Sequence, residues 1–217
     1  MNIDFWKQRW LDGQTGFHLD SVNTYLIHYW DLLCANNETV VFVPLCGKSL
    51  DMIWLAHQGC HVIGVECSDK AIAEFSSDNN LMLQQKITNG FDVHENKNIC
   101  LIHCDYFELT ADMMRSVSVV YDRASLVALP PEMREKYVKK QCEVLPENIK
   151  ILLITLEYDQ DRMSGPPFSV SQDEITKLYG CMFNIRELST NNILASESRF
   201  QQRGLDYLIE SVYLLER

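Results

Sequence analysis

The sequence predicts an α/β domain with a doubly wound, mostly parallel seven-stranded sheet and an antiparallel C-terminal hairpin. Three observations carry this expectation. Short apolar runs at Val40–Val43, His61–Glu66, Ile99–His103, 117–121 and 149–156 alternate with amphipathic, helix-length segments, as in strands buried on both faces of a parallel sheet. Residues 40–66 read as strand, tight Gly-containing turn, helix, turn and a strand ending on the carboxylate of Glu66. In a doubly wound sheet that unit builds a nucleoside-binding crevice. The last two apolar stretches, 183–188 and 205–215, flank a polar loop and read as a hairpin closing the sheet.

In chain order, residues 3–11 carry Phe5, Trp6, Arg9 and Trp10 at amphipathic spacing, which predicts a short helix. The loop 12–18 holds Gly13 and Gly16, and Ser21 is the expected N-cap of a second helix through Tyr25, Leu26, Tyr29, Trp30 and Leu33. Trp6, Trp10 and Phe17 suit either core packing or a lid over a planar ligand. Leu50, Ile53, Trp54 and His57 form the inward stripe of the next helix, which Gly59 stops. Ser68 or Asp69 caps a helix over 69–80, and the polar stretch 81–98 reads as a short strand or an excursion. Pro131 starts a helix to about residue 145. Gly165 to Phe168 is a rigid turn, and Ser171 with Glu174 forms a capping box.

Composition narrows the class. The chain has 217 residues, 47% of them hydrophobic, enough for one core, so residues 1–217 are read as a single domain. No apolar run approaches the ~20 residues of a membrane span. The N-terminal MNIDFWKQRW has no apolar leader core, so the expected setting is the cytoplasm, away from membranes. The formal net charge is −11, with basic residues scattered, which argues against a nucleic-acid partner. Eight cysteines (34, 46, 60, 67, 100, 104, 142 and 181) form no CxxC pair and are read as reduced thiols. The groupings Cys100, His103, Cys104 and His57, Cys60, His61 lack zinc-ligand spacing, so no metal is expected.

Four strand ends in succession carry polar groups: the turn 45–49, Glu66, Asp105 and Arg123. Ligands of open α/β sheets bind at those ends. Gly47-Lys48-Ser49 matches the second half of a phosphate loop, but position 42, where the first glycine belongs, is Phe42. Lys48 is therefore expected to be a turn or surface residue. Glu66 follows Gly47 by 19 residues, near the ~20-residue spacing at which an acid grips ribose hydroxyls, yet GxGxxG is absent. A ribose without a bulky pyrophosphate fits better, as in S-adenosylmethionine, with Asp105 or its backbone meeting adenine.

Here the residues carry a resemblance. PLCGKSLDM, GVECS, DRASLVALPPEMREKY, RGLDYLIESVYLLER and the N-terminal WKQRWLDGQTGFH together resemble the thiopurine S-methyltransferase family, in its bacterial branch, over nearly the whole chain. The resemblance implies a Rossmann-like class I methyltransferase fold with residues 1–35 as an N-terminal helical lid. It implies S-adenosyl-L-methionine as methyl donor and S-adenosyl-L-homocysteine as product. Trp10, Leu45, Glu66, Asp105, Tyr106 and Arg123 are the implied cofactor contacts, and Phe17 and Arg199 the implied substrate contacts. The implied acceptor is an aromatic or heterocyclic thiol, or a related selenium or tellurium compound.

Such thiols ionise readily and react as thiolates, so a dedicated general base need not be present; no His-carboxylate pair announces one, and the sequence leaves open whether a base is used. Arg123 and Arg199 are the candidate thiolate stabilisers. The alternatives are a non-catalytic adenosyl-binding module and a nicotinamide-dependent oxidoreductase. A monomer is expected, because no long exposed apolar segment stands out.

Overall fold

The computed structural model describes residues 3–33, 36 and 38–217. Met1, Asn2, Cys34, Ala35 and Asn37 lie outside the described residues. With them fall the first two positions of the leader reading, the thiol reading of Cys34 and four positions of the expected lid, 1, 2, 34 and 35. Contacts group the chain into two compact units, residues 1–121 with 144–146 and residues 122–143 with 147–217.

The first unit runs α1 (Ile3–Leu11), α2 (Thr24–Tyr29) with a 3-10 turn (Trp30–Leu33), β1 (Val40–Val43), α3 (Asp51–His57), β2 (His61–Glu66), α4 (Asp69–Asp78), β3 (Gln84–Thr88), β4 (Phe91–Glu95), β5 (Ile99–His103), α5 (Ala111–Met114) and β6 (Val119–Arg123), the last crossing into the second unit. Its strands lie in the order β3-β4-β5-β2-β1-β6. The pairs β5–β2, β2–β1 and β1–β6 are parallel, while β3–β4 and β4–β5 are antiparallel. Val41, Phe42, Val62, Val65, Leu101, Val119 and Val120 are buried, the two-faced burial that makes parallel strands continuously apolar. The order reverses at β1, and the carboxyl ends beside such a reversal are where a ligand crevice opens. Gly64 lets the layers close. A Cβ there would lie 2.7 Å from Cys46 Sγ and 2.8 Å from Leu101 Cδ2.

The second unit contains α6 (Pro131–Val144), β7 (Lys150–Glu157), α7 (Gln172–Tyr179), β8 (Asn184–Asn192), α8 (Ser198–Gln201) and β9 (Ile209–Glu216). Its strands order as β7-β9-β8, all antiparallel, with an irregularity between Glu187 and Ser189. Asp122 is fully buried and accepts from Tyr137 Oη at 2.7 Å and Leu126 N at 3.3 Å. Arg134 is also fully buried; its Nε donates to the Leu129 carbonyl and its Nη1 to Glu174 Oε2 at 2.6 Å.

Four sequence expectations are corrected. Nine strands occur among the described residues, not seven, because residues 84–95 form a hairpin. Asn89 and Gly90 both take positive φ, 52° and 85°, the Asn-Gly turn that matches strand twist. The α2 N-cap is Asn23, not Ser21; its side chain accepts from Tyr25 N and Leu26 N. The strand expected at 117–121 runs over Val119–Arg123, so Arg123 ends the strand instead of following it. Ser171 caps α7 through Glu174 N, but the Glu174 carboxylate turns to Arg134, so the capping box is half made.

Candidate active site

The site in the first unit begins where β1 gives way to α3. Leu45 takes φ 46° and Gly47 φ 52°. A left-handed leucine costs of order 1–2 kcal/mol and persists only where its surroundings fix it. Here Cys46 N bonds the Val65 carbonyl at 2.9 Å and Ser49 N the Cys46 carbonyl at 3.1 Å. Gly47 is needed for space as well as for φ. A Cβ on it would sit 3.0 Å from the Trp10 ring and 3.9 Å from Phe17.

The aromatics divide the two readings offered for them. Trp10 is 2% exposed and packs on the turn, so it belongs to the core. Phe17 and Trp6 are half-buried. Phe17 meets Trp10 edge-on at 5.5 Å and Trp6 at 5.8 Å. Lys70 Nζ reaches the Leu11 carbonyl at 3.4 Å and so holds the end of α1 to α4.

Glu66 ends β2 with 5% exposure. Its Oε2 accepts from Gly47 N at 2.9 Å; its Oε1 accepts from Cys67 N at 2.9 Å and Ser68 N at 2.8 Å. Burial pushes its carboxyl above the usual range, while the three amides and the Cys67 thiol pull it back. Lys48 points away to α4, with Nζ 2.8 Å from both Glu74 Oε2 and Asp78 Oδ2. Asp105 lies two residues beyond the end of β5, and its Oδ1 caps the following turn at Phe107 N, 3.0 Å away. Tyr106 is 1% exposed and stacks on Phe42 at 6.4 Å, which leaves its backbone, not its ring, for a ligand.

Trp10, Phe17, Leu45, Glu66, Asp105 and Tyr106 thus all belong to the first unit. Arg123 and Arg199 belong to the second. Arg123 is half-buried at the end of β6, just before Ala124 at φ 60°. Arg199 lies on α8, with Nε 3.3 Å from Glu197 Oε2 and its guanidinium 4.7 Å over the Phe200 ring. A groove of about 320 Å³ in the second unit is lined by Val138, Cys142, Lys177, Leu178 and Met182, among others. It holds none of the residues predicted for the site.

Sequence reading missed two supports. Asp51, 2% exposed, opens α3; it accepts from Asn23 N at 2.8 Å and from Tyr121 Oη at 2.9 Å. An acid in the first turn of a helix is an ordinary dipole partner, so nothing local marked it as buried. Gly64 was the other, and a glycine inside an apolar strand is itself a sign of close approach.

The model of the thiopurine S-methyltransferase family matches residues 1–217. The chain belongs to the thiopurine S-methyltransferase family. Thiopurine S-methyltransferases similar to it include one from Nitrosospira multiformis, 46% identical over 99% of this chain and 98% of that one. Another, from Pseudomonas aeruginosa, is 42% identical over the full length of both. Among solved structures, a Burkholderia thailandensis N1-methyltransferase with bound S-adenosylhomocysteine superposes with TM-score 0.64 at 13% identity, over 99% of this chain and 87% of that one. An Anabaena variabilis SAM-dependent methyltransferase gives 0.64 at 13%, over 99% and 94%. At such identities the likeness is one of fold, and the fold is that of methyltransferases. Neither the nicotinamide oxidoreductase nor the non-catalytic binding module finds support in this family membership.

Proposed function

We propose that this thiopurine S-methyltransferase family member moves the methyl group of S-adenosylmethionine to an aromatic or heterocyclic thiol, or to a related selenium or tellurium compound. S-adenosylhomocysteine is left behind. The observation that carries the reading is the Glu66 carboxylate, sunk beside the Gly47 turn at the carboxyl end of β2. A carboxylate offers about four acceptor positions. Two backbone amides occupy Oε1, one occupies Oε2, and the Cys67 thiol also hydrogen-bonds the carboxylate; a ribose hydroxyl, a stronger donor than a thiol, would take that thiol's place.

The residues fit such a cofactor. Leu45 and Gly47 form the turn beneath it, Trp10 supports that turn, and Asp105 with the Tyr106 backbone lies in the turn just after β5 for adenine. Phe17 and Trp6 supply the half-buried aromatic surface expected of a lid from residues 1–35. When bound, S-adenosylmethionine supplies a methyl on an already activated sulfonium. The protein's share is then position and water exclusion. Arg123 and Arg199 take the proposed roles of cofactor contact and thiolate stabilisers on grounds of charge alone.

The test is incubation with S-adenosylmethionine and a panel of aromatic thiols, following S-adenosylhomocysteine by chromatography. Product with at least one thiol is expected. Binding without turnover across the panel would leave only an adenosyl-binding module. Arg123→Ala and Arg199→Ala are each expected to lower kcat/KM and to displace its pH profile; unchanged profiles would remove their electrostatic role.

We also read the protein as a cytoplasmic monomer working without a metal. Seven free cysteines support the reduced setting, and no cluster of three or more metal-ligating side chains occurs, both among the described residues. No helix among those residues is long and apolar enough to cross a membrane.

A further inference from the structure

We infer that His103 is a positioning residue for the Glu66 carboxylate, acting through the single peptide group that joins Cys67 to Ser68. The inference rests on the reading of Glu66 as the ribose-holding group.

His103 ends β5 directly beside Glu66 in the parallel β2–β5 register. Its Nε2 lies 3.1 Å from the Cys67 carbonyl oxygen. A carbonyl oxygen can only accept, so Nε2 carries the hydrogen and donates. That carbonyl belongs to the same planar group as Ser68 N–H. In a trans peptide the C=O and N–H point in opposite directions, so one end of the plane faces His103. The other end donates to Glu66 Oε1 at 2.8 Å. Fixing the carbonyl therefore fixes the direction of the amide that holds the carboxylate.

The ring itself is held from its far side. Nδ1 lies 3.4 Å from Asp69 Oδ1 and 4.0 Å from Asp92 Oδ2, contacts that hold the ring when Nδ1 as well as Nε2 carries a hydrogen. Asp92 is held in turn by Gln85 Nε2, at 3.0 and 2.9 Å to its two oxygens, and by His94 Nε2 at 3.3 Å. A line of contacts thus runs from the β3–β4 hairpin through His103 and one peptide plane to Glu66 and on to Gly47 N. This gives the hairpin, which sequence reading left as a short strand or an excursion, a part in shaping the crevice.

The experiment measures S-adenosylhomocysteine affinity by calorimetry, and kcat at saturating cofactor, for four variants. In His103→Leu the donor is lost, and in His103→Asn the amide is too short to reach. Both are expected to raise Kd about 5- to 10-fold, the effect of one hydrogen bond, with kcat within about twofold. His103→Gln, whose terminal amide reaches as Nε2 does, is expected to return Kd to within about twofold of the parent. If His103→Leu fails to fold, His103→Asn against His103→Gln makes the same comparison. Equal losses in Asn and Gln, or no loss in Leu and Asn while Glu66→Gln weakens binding, would overturn this inference alone. An unchanged Kd in Glu66→Gln would overturn the ribose reading, and this inference with it.

Discussion

Glu66 and Lys48 flank Gly47 in space but do different work. Glu66 collects three backbone amides, whereas the Lys48 ammonium is spent on Glu74 and Asp78 of α4. Those two partners raise its pKa, the Asp78 hydrogen bond most. Glu66→Gln turns one oxygen into a donor among donors. It is expected to raise the Kd for S-adenosylhomocysteine at least about tenfold, as loss of a charge-assisted bond does. Lys48→Ala is expected to change Kd less than about threefold and stability by no more than about 1 kcal/mol, as for part-exposed pairs. Calorimetry and urea unfolding read both. The neighbouring thiols stay out of the chemistry. Burial pushes Cys46 and Cys67 up, and Cys104 up to about 12. Protonated thiols are poor nucleophiles, so these do not compete with the acceptor for the methyl group.

At the scale of elements, the site depends on how closely α3, β1 and β2 approach. Gly64 sits where a Cβ would fall within 3.0 Å of Cys46, Leu101 and Met52 atoms. Gly64→Ala is expected to cost about 1–3 kcal/mol, the range for overpacking a filled core, visible as a lower urea midpoint. Asp51 ties α3 to α2 and β6 through Asn23 N and Tyr121 Oη. Asp51→Ala removes the acceptor of both bonds, and about 2–4 kcal/mol of stability is expected to go with them. A urea midpoint unchanged by either substitution would contradict these packing assignments.

For the molecule as a whole, pH enters through Asp122. Burial raises its carboxyl from 3.8 to about 6, against opposing hydrogen bonds from Tyr137 and Leu126. The folded chain therefore binds more proton than the unfolded chain between those values. The resulting stabilisation is complete below pH 3.8 and is lost as pH rises through about 6. At 1.36 kcal/mol per unit, the swing is of order 3 kcal/mol. Asp122→Asn is expected to remove it. Urea unfolding from pH 4.5 to 7 should show the parent losing stability relative to this variant as pH rises; a constant difference would contradict the assignment.

The sequence by itself determined the parallel strands, their connecting helices, the C-terminal hairpin and the carboxylate at the end of β2. These follow from local periodicity and from a spacing set by one strand–helix–strand unit. Asn89-Gly90 also held the missed hairpin in plain sight, but the all-polar face of β3 gave no alternation to pair with it. Tertiary structure alone decided the rest. Trp10 became core because Gly47 has no side chain to keep it off. Tyr106 turned its ring to Phe42, and Lys48 found two acids on α4. His103 came to Glu66 because β2 and β5, 37 residues apart at those positions, are sheet neighbours. Each of these depends on which side chains distant in sequence come to share a few ångströms, and no local pattern encodes that.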